Sequence, residues 1–287
     1  MSGKGTSFSE KAMLDCRGKK LDLSTPAVMG ILNITPDSFY DGGKYKSEKD
    51  LLIQTENMLE EGAAVIDIGA VSTRPGAPDV PPETEHNRLT AVLNLLIRRF
   101  PEAIFSVDTY RSEIARWAVE RGAGIINDIS GGTFDSRMLE TIAGLKVPYI
   151  IMHIQGVPGN MQQNPVYENV VHEVDAFFME QAEKLRTLNF EKIILDPGFG
   201  FGKNLEHNFS LLKNLAVFKK SGYPVMAGIS RKSMINKLLK TTPETALNGT
   251  TAANTIALLN GANILRVHDV KEAMQCIKVV QKLKEVE

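Results

Sequence analysis

Eight short apolar runs, each followed by a stretch with helical spacing or a polar connector, constrain this chain more than any other feature. They are Ala27–Asn33, Val65–Ala70, Ile104–Thr109, Ile125–Ser130, Tyr149–Ile154, Ile193–Gly198, Val225–Ser230 and Ile264–Asp269. Their apolar character is nearly continuous rather than alternating, as expected of parallel strands covered on both faces. Between them, Ser47–Glu61 carries Leu51, Leu52, Thr55, Met58 and Leu59 at helical spacing, with Gly62 as a stop. Glu83–Arg99, Arg111–Arg121, Glu168–Leu188, Leu205–Lys220 and Ala246–Asn260 have the same character. Strand and helix in eightfold alternation predict an α/β fold, a single (β/α)8 TIM barrel. An open doubly wound sheet is the alternative, but it usually has a glycine-rich turn after its first strand. Here that turn reads Asn33-Ile34-Thr35-Pro36-Asp37-Ser38-Phe39, without the glycines.

With 287 residues, the chain has the length of one such barrel. Residues 15–287 are expected to form it, and residues 1–14 a disordered tail. Arg17-Gly18-Lys19 reads as the turn of a short N-terminal hairpin closing one end of the barrel. A formal net charge of -1 gives no long-range field for nucleic acid or an acidic membrane, so any basic site is local. No apolar run approaches the roughly 18 residues of a membrane span, and Met1–Lys11 is too polar for a secretory signal. Cys16 and Cys276 form no CxxC pair, which fits reduced thiols and a cytoplasmic protein. The five histidines show no zinc-ligand spacing.

In this fold chemistry gathers at the carboxyl ends of the strands. Those ends carry Asn33, Asp67, Asp108 with Thr109, Asn127 with Asp128, His153, Asp196, Ser230 with Arg231 and Lys232, and Arg266 with His268. Polar groups at the tips of apolar strands are costly unless they satisfy one another or a ligand. Any one of them is nearly as readily scaffold as site; together they favour a polar pocket at one mouth. Asp108, Asn127 and Asp196 suit a flat, donor-rich heterocycle, because a carboxylate pairs bidentately with an N–H/NH₂ edge. Lys232, Arg266 and His268 cluster at the last two strands, where barrels often hold phosphate.

The loops carry further signals. The first, Asn33–Gly43, contains Phe39 and Tyr40, and the second, Gly69–Gly76, combines Ser72, Thr73 and Arg74. Turn chemistry alone accounts for either composition. The sixth, Asp196-Pro197-Gly198-Phe199-Gly200-Phe201-Gly202-Lys203, invites a phosphate-loop reading but fails it: Pro197 replaces the first glycine and Asn204 the Ser/Thr. Its glycines instead allow close approach of backbone and Phe201 to a ligand. His86, His172 and His207 fall in expected helices, whereas His153 and His268 at strand ends are the better site candidates.

Taken in order, Asn33–Gly43, Ser72–Gly76, Val107-Asp108-Thr109, Ile126-Asn127-Asp128, Met152-His153, Asp196–Lys203, Ser230–Ser233 and Arg266-Val267-His268-Asp269 resemble the dihydropteroate synthase family. Singly these motifs are weak; as an ordered set from about Ala27 to the chain end they are specific. The resemblance implies condensation of 6-hydroxymethyl-7,8-dihydropterin diphosphate with 4-aminobenzoate in folate synthesis, with Mg²⁺ as cofactor, sulfonamides as inhibitors and a homodimer built through the late helices. It assigns the pterin to Asp108, Asn127, Ile129, Met152, Asp196, Phe201, Lys232 and Arg266. Asn33, Thr73, Arg74, Arg266 and His268 would meet the diphosphate, with Asn33 also on the metal. Phe39, Pro75, Phe201, Lys232 and Ser233 would frame the aminobenzoate, and Asp108, Asp37, Lys232 and Arg266 would act in catalysis.

An aromatic amine is already nucleophilic at neutral pH, so the resemblance implies an SN1-like path in which loss of diphosphate is the hard step. Closure of the first two loops is expected to keep water from the cation. Two alternatives share the pterin residues: a corrinoid-linked methyltetrahydrofolate methyltransferase and a non-catalytic pterin-binding paralogue. The first would not need the Thr35–Gly43 loop or Ser230–Ser233, and the second would be expected to lose Phe39, Thr73, Arg74 and Pro75, all present here.

Overall fold

The computed structural model describes residues 13–34, 40–41, 44–45, 48–71 and 80–286. Two short strands, β1 (Met13–Cys16) and β2 (Lys19–Asp22), pair antiparallel. Their turn holds Arg17 at φ 59° and Gly18 at φ 87°, the positive-φ pair that a two-residue hairpin requires. The expected hairpin is therefore present. It begins at Met13, so Met13 and Leu14 belong to it rather than to the tail expected over residues 1–14, whose other residues lie outside those described.

The barrel follows as β3 (Ala27–Asn33), β6 (Val65–Gly69), β7 (Ile104–Asp108), β8 (Ile125–Asp128), β9 (Tyr149–Met152), β10 (Ile193–Asp196), β11 (Met226–Ala227) and β12 (Ile264–Val267), all parallel. Two short strands, β4 (Tyr40–Asp41) and β5 (Lys44–Tyr45), pair with each other outside it. Around the barrel run α1 (Glu48–Glu60), α2 (Pro82–Arg99), α3 (Ser112–Arg121), α4 (Met138–Leu145), α5 (Val170–Thr187), α6 (Leu205–Lys213), α7 (Ser233–Leu239), α8 (Leu247–Leu259) and α9 (Val270–Glu285). The ring closes between β10 and β11 through a bridge of Leu195 to Val225 and a 2.8 Å bond from Leu195 N–H to Pro224 O. Among the described residues no helix is long and apolar enough to cross a membrane.

The expected strands all form, but most stop short of their predicted ends. Asp128 and Asp196 accept the backbone N–H of Ser130 at 2.7 Å and Gly198 at 2.8 Å, Asx turns that end the ladder locally. The helix expected over Leu205–Lys220 is divided: α6 stops at Lys213, and a 3₁₀ turn covers Leu215–Ser221. Asn214 marks the break, its side-chain nitrogen bonding Ser210 O at 2.8 Å. α4, α7 and α9 lie outside the expected helices.

Strand periodicity sets the two ends of the interior apart. One buried residue from every strand (Met29, Val65, Ile104, Ile125, Ile150, Ile194, Met226 and Ile264) forms a layer capped by Leu14, Cys16, Leu21 and Leu23 of the hairpin segment. That layer is a sealed bottom. Two residues further along, the same inward face presents Ile31, Asp67, Ser106, Asn127, Met152, Asp196, Gly228 and Arg266, and two beyond these Asn33, Gly69, Asp108 and His268 follow the same phase. The inward face thus passes within one pleat from wholly apolar to one that carries Asp67, Asp196 and Arg266.

Candidate active site

Arg266 is the centre of the upper layer. Its Nε donates to Asp67 Oδ2 at 2.7 Å, and a terminal nitrogen lies 3.2 Å from Asp108 Oδ2. Asn127 donates its amide nitrogen to the same Asp67 oxygen at 3.0 Å. That bond fixes the amide's orientation, leaving its oxygen as an acceptor and its second N–H as a donor. Asp67 itself is shut off from water, and its Oδ1 has no hydrogen-bond partner among the described residues.

A second group meets the first at Gly228. A Cβ placed there would lie 3.7 Å from Asp196 Oδ2, 3.8 Å from Lys232 Nζ and 3.9 Å from Arg266 Cβ. Asp196 commits Oδ1 to Gly198 N–H, and Oδ2 is the oxygen beside this gap. Lys232, the residue before α7, donates to Phe199 O and stands 4.7 Å from the centre of the Phe201 ring. Across the barrel, Asn33, Gly69 and Asp108 occupy one register row. A Cβ at Gly69 would lie 3.3 Å from Asn33 Oδ1 and 3.9 Å from Asp108 Oδ2. The two missing side chains leave room for a ligand.

Burial shapes how these groups titrate. Desolvation pushes the Asp108 carboxyl up to about 7 against the opposing pull of Arg266, with Asp67 adding to the rise. Desolvation also raises Asp196, opposed by Lys232. It lowers the Lys232 ammonium to about 8, while Asp196 resists the fall. Burial works against charge on Arg266 too, but Asp67 and Asp108 hold the guanidinium above its usual value. The result is a cavity with carboxylates and an amide as acceptors and two cations beside them.

Of the strand-end residues, Asp108, Asn127, Asp196, Lys232 and Arg266 come together here. Ile129 and Met152 are buried, and Phe201 is half-buried. His268 is exposed and contacts Ser230 Oγ through Nδ1 at 3.0 Å, while Ser233 is exposed at the start of α7. Asp37, Phe39, Thr73, Arg74 and Pro75 lie outside the described residues.

Three strand-end polar residues serve the scaffold instead. Asp128 takes bonds from Tyr149 O–H at 2.6 Å, from the Ser130 backbone and hydroxyl at 2.7 Å, and from Gly132 N–H at 2.9 Å. Arg231 pairs with both oxygens of Asp269, at 2.9 and 2.6 Å. His153, expected as a site candidate, is buried with Lys203 Nζ 3.1 Å from its Nδ1. Conversely Asp67, given no role by motif reading, is the hub that joins Arg266 to Asn127. An aspartate inside the apolar run Val65–Ala70 was its available signal.

Comparison with known proteins gives this geometry a family. The family described as pterin binding enzyme matches residues 29–268, a span that runs from within β3 to just past β12. Dihydropteroate synthase of Escherichia coli K12 is 46% identical over 270 residues, covering 93% of this chain and 95% of that protein. The Haemophilus influenzae dihydropteroate synthase is 45% identical over 270 residues, covering 93% and 98%. Among solved structures, Yersinia pestis dihydropteroate synthase with a sulfonamide drug superposes with a TM-score of 0.90 at 41% identity, covering 96% of this chain and 100% of that one. The Xanthomonas albilineans synthase with 4-aminobenzoic acid gives 0.89 at 40% identity, with the same coverage. The same synthase in complex with 7,8-dihydropteroate gives 0.85 at 37% identity, again covering 96% and 100%. By sequence and by fold, the chain belongs to the dihydropteroate synthase family of pterin-binding enzymes.

Proposed function

We propose that the ionic mouth of the barrel joins 6-hydroxymethyl-7,8-dihydropterin diphosphate to 4-aminobenzoate, giving 7,8-dihydropteroate and diphosphate. The convergence of Asp108, Asn127, Asp196, Lys232 and Arg266 on one cavity carries this reading. Relatives solved with 4-aminobenzoic acid, 7,8-dihydropteroate and a sulfonamide drug support the same arylamine substrate, the same product and the same inhibitor class. In this reading Asp108, Asn127, Asp196 and Lys232 hydrogen-bond the pterin, and Ile129, Met152 and Phe201 lie along its faces. Arg266 reaches from the pterin plane to the diphosphate, beside His268, Thr73 and Arg74. Phe39, Pro75, Phe201, Lys232 and Ser233 frame the aminobenzoate.

Mg²⁺ is the cofactor of this reading, held by Asn33. Asn33 Oδ1, beside the open position at Gly69, is an oxygen donor of the kind a hard cation takes, and would help to hold it there. When bound, it supplies charge neutralisation to the departing diphosphate.

The chain's own residues act on both fragments of the breaking bond. The C–O electron pair leaves with the diphosphate, whose charge Arg266 stabilises. The methylene carbon left behind is conjugated to the electron-rich dihydropterin ring. Asp108 and Asp196 stabilise its positive charge through the ring's N–H groups, with Asp37 adding negative charge nearby. The aminobenzoate lone pair then forms the C–N bond, and the ammonium formed loses its proton.

Incubation with pterin diphosphate, Mg²⁺ and 4-aminobenzoate, followed by mass detection, should give dihydropteroate. No product above the protein-free control overturns the assignment. Positional isotope exchange without aminobenzoate tests the dissociative path: scrambling of the bridging oxygen is expected, and its absence counts against that path.

A cytoplasmic homodimer completes the reading. Leu238 and Leu239 of α7, Ile256 and Leu259 of α8, and Val279 and Leu283 of α9 are exposed, and α8 packs against both neighbours. A second copy suits such apolar surface. Sedimentation should report twice the chain mass. The two buried, unpaired cysteines are in keeping with a reducing compartment.

A further inference from the structure

Lys203 ends the glycine run after β10, and the chemistry above gives it no task. Yet it is only 2% exposed, burial drives its ammonium down to about 7, and a buried ammonium is costly unless every donor is met. Here all three are: Lys203 Nζ lies 3.1 Å from His153 O, 3.1 Å from His153 Nδ1 and 2.9 Å from Phe201 O. With Lys203 protonated, the contact with Nδ1 needs a neutral imidazole carrying its proton on Nε2. Burial, reinforced by Lys203, accordingly drives His153 down to about 3.

The surrounding loop explains what this cage holds. Residues 197–204 make one backbone hydrogen bond among themselves, Phe201 N–H to Gly198 O at 3.0 Å. Five successive carbonyls are instead taken by side chains. Lys232 donates to Phe199 O, Gln162 to Gly200 O, Lys203 to Phe201 O, Tyr167 to Gly202 O and Asn208 to Lys203 O. Gln162 and Tyr167 come from the preceding loop, between β9 and α5. The two loops also touch through backbone. A Cβ at Gly198 would lie 2.1 Å from His153 O, and one at Gly202 2.4 Å from Gln155 O.

We propose that Lys203, aided by Tyr167 and Gln162, is a positioning residue for the pterin site. It locks the fifth loop to the sixth, fixing the Phe201 ring on which the pterin packs. Lys203 acts through Phe201 and never touches substrate. The proposal rests on the pocket reading above.

Calorimetric titration with pterin diphosphate, without aminobenzoate, tests it. Lys203→Met keeps the stem and removes three donors, and should weaken binding about tenfold or more. Phe201→Ala should weaken binding as well, and Lys203→Met added to it should cost little further, because the two act in series. Tyr167→Phe removes one O–H donor and should give a smaller loss in the same direction. Parent-like affinity of Lys203→Met, or a loss that multiplies with that of Phe201→Ala, overturns the proposal. If Lys203→Met does not fold by circular dichroism, Tyr167→Phe decides, and parent-like affinity there overturns it equally. A parent chain that fails to bind pterin diphosphate removes the pocket reading itself, and this proposal with it.

Discussion

Neighbouring residues at the strand tips go opposite ways. Asn127 faces Asp67 inside the barrel, while Asp128 bonds Tyr149 outside it. Lys232 lies beside Asp196, while Arg231 pairs with Asp269. Met152 shares the inward phase with Asn127 and Asp196, while His153 closes on Lys203. Polar residues ending apolar runs were legible in the sequence; which of two adjacent ones enters the cavity was not. A period of two needs a reference phase, and only register supplies it. The inward groups set the expected pH response. Pairing with N–H groups needs Asp108 ionised, and the cationic side needs Lys232 protonated. kcat/KM should therefore climb as Asp108 ionises through about 7 and fall as Lys232 loses its proton through about 8. Lys232→Arg, which stays charged, should lose the falling limb; a flat profile for the parent contradicts both assignments. Asp196→Ala should weaken pterin diphosphate about a hundredfold or more in a binding titration, because a site built for N–H groups discriminates sharply. Unchanged affinity would contradict the role given to Asp196.

At the scale of elements, the apolar runs located every barrel strand because burial on both faces leaves a continuous apolar signature. Their ends were less legible, since Asx turns at Asp128 and Asp196 compete locally with the ladder. The break at Asn214 has the same origin in a short polar side chain bonding backbone. The sixth loop is set by contacts from other segments, which no local pattern reports. Two glycines separate these cases. Gly202 holds φ 61° with Gln155 O where a side chain would stand, so Gly202→Ala should cost about 2 kcal/mol or more in urea unfolding. Gly144 in α4 has open space around it, and Gly144→Ala should stabilise by up to about 1 kcal/mol. Equal effects from the two would contradict this view of the loop.

Across the whole molecule, the barrel has one sealed end and one reactive end. Leu14, Cys16, Leu21 and Leu23 close the bottom over a complete apolar layer, and the ionic groups begin one pleat above. Stability and chemistry are therefore separable. Leu21→Ala should cost about 2–4 kcal/mol in denaturant while leaving KM for both substrates unchanged; a rise in either KM would contradict the separation. The remaining claim is that residues from six strand tips act as one cavity in which acceptors and cations stand side by side. A crystal structure with pterin diphosphate bound tests this most directly. The expected result has the pterin N–H edge on Asp108, Asn127 and Asp196, its ring beside Lys232 and the diphosphate against Arg266. A ligand lodged elsewhere, or one that meets the cations but none of the three acceptors, would contradict the account.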